Sequence, residues 1–250
     1  MAGFGDQIKK KKSTPKGKAH LGGEGLLKTA VDDHMRGDLV SAEKAYRAAI
    51  KAGYMHPVIF SNLGIICKNS ERIEEAILLY EKAIEVSPSD PNPYTNLGNL
   101  YQELGQLDQA LASTLKSLEL KPDNPDALMN LGGIYKVLGQ LDQALAATLK
   151  SIELKPDNPD ALPNLGGIYQ QLGQLDQALG VTLKSLELKP DNPTAHMKLG
   201  GIYQQLGQLD QALAATLKSL EIKPDNGDAL INLGGIYQQL GQLDQALAAT

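Results

Sequence analysis

Near-copies of one 34-residue unit follow one another through this chain, and this periodicity constrains its fold more than any other feature. The clearest copies are Pro125–Asn158 and Pro159–Asn192, with Pro91–Asn124 before them and Pro193–Asn226 after them. A further copy begins at Gly227 and is incomplete at the end of the sequence. A fixed period of this length is typical of a stacked repeat array, in which each unit contacts its neighbours, rather than of a globular enzyme domain.

Each unit predicts a hairpin of two α-helices. In Pro125–Asn158, apolar residues recur at helical spacing in two runs separated by Gly139, a residue that commonly ends a helix. Asn124 is placed to cap the first helix, and Pro156 prevents the second from continuing. The link is short, so the two helices must be antiparallel. The predicted buried residues are Leu128, Leu131, Ile134, Tyr135 and Leu138 on the first helix and Leu141, Ala144, Leu145, Leu149 and Ile152 on the second.

A glycine recurs inside the first helix of the units, and it requires a packing explanation. Glycine in a helix interior costs about 0.5–1 kcal/mol relative to alanine, so a close approach between helices is expected at this point. With the first residue of a unit as position one, these glycines stand at position eight. They are Gly64, Gly98, Gly132, Gly166, Gly200 and Gly234.

These residues resemble the tetratricopeptide repeat (TPR) signature, represented in one unit by Leu131-Gly132, Tyr135, Ala144 and Pro156. The resemblance covers about residues 23–250, as units 23–56, 57–90, 91–124, 125–158, 159–192, 193–226 and the incomplete 227–250. Unit 23–56 lacks the Leu-Gly pair and resembles an N-terminal capping unit. The resemblance implies an all-α fold, an α-solenoid of antiparallel helix hairpins wound as a right-handed TPR superhelix.

The later units depart from the family pattern on the second helix. TPR units usually carry an aromatic residue at position twenty-four and alanine at twenty-seven, as Tyr80 and Ala83 do here. Four later units carry threonine and serine instead, which predicts a thinner core. We expect each hydroxyl to bond the backbone carbonyl one turn back along its own helix. The pairs are Thr114 with Ser117, Thr148 with Ser151, Thr182 with Ser185, and Thr216 with Ser219.

The resemblance implies that the first helices line a concave groove, where this chain carries a row of primary amides. Amides offer both donors and an acceptor, so a regular row suits the backbone of an extended peptide. Glycine at position nine would leave room for the peptide to approach. The row resembles the asparagine ladder in the TPR arm of protein O-GlcNAc transferases. The predicted peptide-binding residues are Asn62, Asn96, Asn99, Asn130, Asn164, Lys198, Asn232, Gln171, Gln205 and Gln239.

Two other interpretations of this row are retained. The asparagines before Leu-Gly alternatively bond the backbone of the neighbouring repeat and are structural. Lys198 interrupts the row and is placed to pair with an acidic side chain of a ligand. The carboxylate clamp of TPR co-chaperones requires several converging basic residues, and Lys198 is the single charged residue assigned to an inward position in the later units, so that mode is disfavoured.

The sequence predicts no catalytic residues, no metal ligands and no cofactor. The four histidines share no metal-ligand spacing, and Cys67 takes the place of a buried tyrosine. The single cysteine and the lack of a membrane span or secretory signal predict a cytoplasmic protein. Residues 1–22 hold six lysines and one aspartate, so the array is more acidic than the net charge of −5 of the whole chain. The array is therefore a poor partner for nucleic acid.

The basic segment 1–22 is predicted to be a disordered tail, because its composition cannot build a core. Its lysines Lys9–Lys12 would give a weak contact with an acidic partner, RNA or an anionic lipid surface. For the array, we consider two functions. The first is a protein–protein interaction scaffold that binds an extended peptide or partner segment. The second, implied by resemblance to bacterial proteins, is the substrate-recruiting arm of a larger glycosyltransferase or sulfotransferase whose catalytic domain follows Thr250.

Overall fold

A computed structural model of the chain describes residues 22–156 and 161–242. Within these ranges it contains thirteen α-helices and no β-strand. The chain divides into two compact units, Met1–Ile59 and Phe60–Thr250, which we call the N-terminal unit and the main unit. The predicted tail with Lys9–Lys12 and the second helix predicted for the incomplete repeat lie outside the described residues.

The helices follow the repeat boundaries, two to each complete repeat. In chain order they are α1 Gly23–Met35, α2 Leu39–Lys51, α3 Pro57–Asn69, α4 Ile73–Val86, α5 Pro91–Glu103, α6 Leu107–Leu120, α7 Pro125–Val137, α8 Leu141–Leu154, α9 Ala161–Gln171, α10 Leu175–Leu188, α11 Pro193–Gln205, α12 Leu209–Ile222 and α13 Gly227–Gln239.

In the N-terminal unit, α1 packs against α2 as a hairpin. Ala30 of α1 and Ala42, Tyr46 and Ala49 of α2 are fully buried. Asp38 begins α2 by accepting a hydrogen bond from the backbone N–H of Ser41 at 3.1 Å. This unit therefore uses alanine and an aromatic residue in its hairpin core, as the family pattern predicts.

In the main unit, local signals fix the helix ends as predicted. The Asn124 side chain accepts a hydrogen bond from the backbone N–H of Ala127 and caps α7. Asn192 and Asn226 cap α11 and α13 in the same manner. Gly139 follows the end of α7 with φ of +73°, in the left-handed region that favours glycine at a helix C-terminus. The helices therefore begin and end where short-range chemistry requires.

The hairpins of the main unit stack on one another through their first helices and through the contact of each second helix with the next first helix, as in α6 with α7. Each of α5, α7, α9 and α11 packs on its own second helix and also on the first helix of the next repeat, which for α11 is α13. Four first helices bury an isoleucine fully at position ten, namely Ile134, Ile168, Ile202 and Ile236, and α5 buries Leu100 there. The prediction of an all-α solenoid of helix hairpins is confirmed.

Two leucines that were predicted to be buried are exposed. Leu138 is 41% exposed and Leu149 is 43% exposed. Leu138 is the C-cap residue of α7, beyond the last helical turn. On α8 the buried face consists of Ala144, Ala147, Thr148 and Ser151. Leu149 follows Thr148 directly and is therefore rotated about 100° away from that face.

The glycines at position eight are sites where the two helices of a hairpin touch. A Cβ added to Gly132 would lie 2.1 Å from Oγ1 of Thr148 and 3.2 Å from the carbonyl oxygen of Ala144. In the repeat that carries an aromatic residue at position twenty-four, a Cβ on Gly64 would lie 2.6 Å from the ring of Tyr80. The close approach explains why glycine is present despite its conformational cost. The same contact joins Gly98 to Thr114, Gly166 to Thr182, and Gly200 to Thr216.

The predicted hydrogen bonds to a carbonyl one turn back are wrong for the four threonine hydroxyls and for those of Ser151 and Ser219. Within the described ranges, the four buried threonine hydroxyls at position twenty-four, those of Thr114, Thr148, Thr182 and Thr216, have no hydrogen-bond partner. They instead lie against the position-eight glycines of the first helices. The hydroxyl of Ser151 donates to the carbonyl of Pro125 at 2.7 Å, on the partner helix and not one turn back. Ser219 donates to Pro193 in the same way.

We predict that Gly132→Ala destabilises the array by about 1–3 kcal/mol, because the new methyl overlaps Thr148 and helix α8 must shift. Gly180→Ala is the matched control. Gly180 lies inside α10 and, apart from its chain neighbours and the backbone of its own helix, no atom lies within 4 Å of the Cβ position. This variant should therefore be more stable by about 0.5–1 kcal/mol. Urea unfolding followed by circular dichroism measures both. Equal stability of Gly132→Ala and the unmodified chain would contradict the close approach.

Candidate functional site

The position-six side chains of three repeats bond the backbone of the preceding repeat. Asn130 Nδ2 donates to the carbonyl oxygen of Thr95 at 3.2 Å, from α7 to α5. Asn232 Nδ2 reaches the carbonyl of Met197 at 3.5 Å, and Lys198 Nζ donates to the carbonyl of Pro163. These side chains therefore brace consecutive first helices, as the structural interpretation of the row expects.

Asn96 and Asn99 on α5 are differently placed. Within the described ranges the side chain of Asn96 makes no hydrogen bond. The side chain of Asn99 accepts one from Lys68 Nζ through its Oδ1. Both side chains line a cavity of about 290 Å³ on the first-helix face. The other residues around this cavity are Asn92, Thr95, Asn124, Asp126, Met129 and Asn130. Amide groups with unused donors and acceptors are thus concentrated between α5 and α7.

The remaining predicted residues lie on the same helices but in other surroundings. Asn164 is half-buried, and its Oδ1 accepts a hydrogen bond from Lys136 Nζ at 2.8 Å. Asn62 is half-buried on α3. The position-thirteen glutamines Gln171, Gln205 and Gln239 are exposed. Gln205 accepts a hydrogen bond from Gln170 of the preceding repeat at 2.9 Å, so position twelve of one repeat meets position thirteen of the next.

The space over the position-nine glycines is occupied by neighbouring repeats, contrary to the expectation that it stays open for a peptide. A Cβ on Gly133 would lie 2.6 Å from Nε2 of Gln102, a position-twelve residue of the preceding repeat. At Gly235 the corresponding distance to Gln204 is 3.2 Å. Sequence reasoning within one unit could not show this contact, because it joins residues 31 positions apart.

Two lysines meet over Gly167. Lys198 Nζ lies 3.3 Å and Lys136 Nζ 3.8 Å from the point where a Cβ on Gly167 would stand. Burial lowers the pKa of Lys136. Burial, and then the positive charge of Lys136, lower the pKa of Lys198 to about 7. Lys136 was not among the predicted site residues, although lysine in place of the glutamine found in the neighbouring units was a visible signal.

Lys198 also lines a second cavity of about 290 Å³, between α11 and α13. Its other lining residues are Gln170, Met197, Gly201, Asp228, Ile231 and Asn232. Among residues 22–156 and 161–242, no group of histidine, cysteine, aspartate and glutamate side chains is arranged to hold a metal ion. No helix in those ranges combines the length and apolar character needed to cross a bilayer.

Family models match most of the repeats described above. A model described as TPR repeat matches residues 64–105, 98–139, 134–173 and 166–207. Two models described as tetratricopeptide repeat match residues 193–226 and 215–248. The chain belongs to the tetratricopeptide repeat family. A comparison with curated protein sequences finds no match.

Solved TPR structures are similar to this chain. A TPR protein from Parabacteroides merdae ATCC 43184 is 22% identical with a TM-score of 0.70, and the match covers 91% of this chain and 90% of that one. A thermophilic TPR protein from Thermus thermophilus is 25% identical with a TM-score of 0.64, covering 73% and 99%. YrrB, a TPR protein with an unusual peptide-binding site, is 29% identical with a TM-score of 0.50, covering 68% and 88%.

We predict that Asn130→Ala destabilises this TPR array by about 1 kcal/mol, since it removes the bond to Thr95 between consecutive first helices. Asn96→Ala, which removes no hydrogen bond in the described structure, should leave the free energy of unfolding within about 0.5 kcal/mol of its original value. Urea unfolding of the two variants measures the difference. A larger loss of unfolding free energy for Asn96→Ala than for Asn130→Ala would show that Asn96, and not Asn130, stabilises the stacking of the repeats.

We predict that the stability of the chain relative to Lys198→Asn rises with pH above about 7. Below the lowered folded-state pKa, both folded and unfolded chains hold the proton, so the cost of burying the charge is constant. Above it the folded chain loses the proton while the unfolded lysine keeps it up to about pH 10. The charged groups around Lys198 are Lys136 and, along the second cavity, Asp228.

Unfolding of both proteins at pH 6 and pH 9 checks this dependence. Asparagine stands at position six in the other units from 57–90 onward, so the substitution fits the array. A stability difference that is the same at the two pH values would show that Lys198 is not desolvated.

Proposed function

We propose that this TPR chain is a protein–protein interaction scaffold that binds an extended segment of a partner along the first-helix face of its main unit. The observation that carries the proposal is the amide-lined cavity between α5 and α7. Asn96 there has both its amide N–H donors and its oxygen unused within the described structure, and Asn99 has its N–H donors.

The chemistry of this cavity suits a peptide backbone. An extended backbone presents carbonyl and N–H groups, so side chains that both donate and accept can bind it in many sequences. Asn130 uses a donor on Thr95 and keeps its oxygen as an acceptor. Asn130, Asn96 and Asn99 therefore form one surface, and the packing of α5 against α7 holds it in place.

The similarity to YrrB gives independent support. That protein, which is 29% identical over 68% of this chain, is described as having an unusual peptide-binding site. The similarity makes an extended peptide a reasonable ligand class for this array. Because amides recognise the peptide backbone and not its side chains, they do not select one partner sequence.

The test selects peptides from a random twelve-residue phage library with the full-length chain. Affinities of the enriched peptides are then measured by fluorescence anisotropy for the unmodified chain and for Asn96→Ala/Asn99→Ala. We expect the double variant to bind at least about tenfold more weakly, because each lost hydrogen bond is worth about 0.5–1.5 kcal/mol. Its helix content should be unchanged.

The matched control is Gln109→Ala/Gln143→Ala, which removes two exposed amides from the second helices α6 and α8. This control should keep the original affinity. Failure to enrich any peptide, or equal binding by Asn96→Ala/Asn99→Ala, would refute binding at the cavity between α5 and α7.

A further inference from the structure

Four second helices of the main unit carry an exposed leucine at the same position of the repeat, position twenty-five. Each of these side chains is between 40% and 45% exposed. Because the position recurs once per repeat on α6, α8, α10 and α12, the leucines form a row along one face of the array. Apolar side chains that adjoin on a surface mark a place of contact with another molecule. The leucine row consists of Leu115, Leu149, Leu183 and Leu217.

The packing of the hairpins does not require leucine at this position. Position twenty-five follows the buried threonine at twenty-four and is rotated about 100° from it around the helix, away from the first helix. The two earlier repeats carry charged residues at the same position, Arg47 on α2 and Glu81 on α4, and both are exposed. Since a charged side chain is compatible with the hairpin, the four leucines need another explanation.

Small residues lie beside the leucines on the same exposed face. Residues three positions apart are neighbours on a helix surface, and three positions before each leucine stands an exposed alanine or glycine. At Gly180, apart from its chain neighbours and the backbone of its own helix, no atom lies within 4 Å of the Cβ position. Each helix therefore offers a projecting side chain next to a recess, which suits close packing against another helical surface. The small residues are Ala112, Ala146, Gly180 and Ala214.

The charges beside the leucine row are balanced on each of its helices. On α8 and its C-cap the exposed charges are Asp142, Lys150, Glu153 and Lys155. The same two acidic and two basic positions recur on α6, α10 and α12, whereas α4 carries four glutamates and one lysine. A face without net charge does not attract a polyanion or an anionic membrane, while its mixed signs complement those of a second copy of the same face.

The size of the row suits a second copy. Each of its helices has 14 residues and is therefore about 21 Å long. With packed helices spaced by roughly 10 Å, four repeats give a face of roughly 800 Å². Each partner in a stable protein–protein interface of standard size buries about 800 Å². A single partner helix, about 10 Å wide, would cover at most about half of the face.

We propose that the leucine row is the contact surface of a homodimer, in which the row of one copy packs against the row of a second copy. The equal spacing of leucines and small residues matches the two faces at every repeat. Glu81 limits the register, because a shift by one repeat would place its carboxylate against a leucine of the second copy. The contact uses second helices, so the inference goes beyond the proposed function and leaves the first-helix face of both copies available.

Sedimentation velocity of the full-length chain tests the dimer. Up to about 100 μM, which is well above the dissociation constants of standard interfaces, we expect the mass to rise from that of one chain to that of two. Leu149→Glu/Leu183→Glu introduces, in the middle of the row, the residue found at position 81. This variant should associate at least about a hundredfold more weakly, because the carboxylates of both copies would lose water in the contact. An unmodified chain that stays monomeric would overturn the proposal.

Leu104→Glu/Leu138→Glu is the matched control. These two leucines are each 41% exposed, but they are the C-cap residues of the first helices α5 and α7 and lie outside the row. The control adds the same charge at the same exposure and should dimerise as the unmodified chain does. Equal loss of association in the two double variants would show that net charge, and not the leucine row, governs association.

A charge-reversed variant distinguishes a lost contact from a lost fold. Leu149→Lys/Leu183→Lys should also be monomeric alone, with the helix content of the unmodified chain by circular dichroism. Mixed in equal amounts with Leu149→Glu/Leu183→Glu, it brings opposite charges together, so the mixture should associate at least about tenfold more tightly than either variant alone. A mixture that associates no more tightly than its components would overturn the pairing of row with row.

Two further measurements test other occupants of the row and other contact faces. Flotation of the chain with phosphatidylcholine vesicles, lost in Leu149→Glu/Leu183→Glu, would assign the row to a lipid surface and overturn the homodimer. Association that persists in Leu149→Glu/Leu183→Glu but is competed by a selected peptide would place the contact on the first-helix face and overturn it equally. A dimer that depends on the row while no peptide is enriched would support this inference and refute the peptide site alone.

Discussion

The contact between the position-eight glycine and the position-twenty-four side chain determines how closely the two helices of each hairpin in the main unit pack. Because Gly132 has no side chain, Thr148 comes against the first helix, and Ser151 one turn later reaches the carbonyl of Pro125. The second helix is thereby held along its partner at two points. This fixed hairpin presents the same first-helix face in every repeat, so that Asn130 meets the backbone of the preceding repeat.

The fold was predictable from the sequence because its determinants are local or recur at every repeat. The cap at Asn124, the left-handed Gly139 and the apolar periodicity act within a few residues, and each is present as expected. The hydroxyl contacts were not predictable in this way. Within the described ranges the Thr148 hydroxyl makes no hydrogen bond, and it lies against Gly132 of the other helix. Leu149 was wrongly predicted to be buried, because the apolar periodicity of α8 does not show which of its faces packs against Gly132.

The site was predicted as a row of equivalent amides. The contacts between repeats give these amides different hydrogen-bond partners. Near-identical units conceal this inequality, since each residue appears in the same sequence context. The partners of a position-six or position-twelve side chain are about one repeat away, and they depend on how consecutive hairpins are offset. Asn130 acts on Thr95, while Asn96 has no such bond in the described structure. Lys136 was not predicted as a site residue, because only the structure brings its ammonium group close to that of Lys198, 62 residues later in the sequence.

Single substitutions between near-copies change the charge of one place while the scaffold around it stays constant. Glu103 and Asn99 pair with Lys68 within the array. Two repeats further on, Gln171 and Gly167 stand in place of those residues, and among the described residues Lys136 has no carboxylate partner. Lys198 brings a second lysine to the same place, and burial lowers the pKa of both side chains. Lys198 bonds the backbone of the preceding repeat as the asparagines at this position do, so these substitutions change the electrostatics of the place and not the stacking of the first helices.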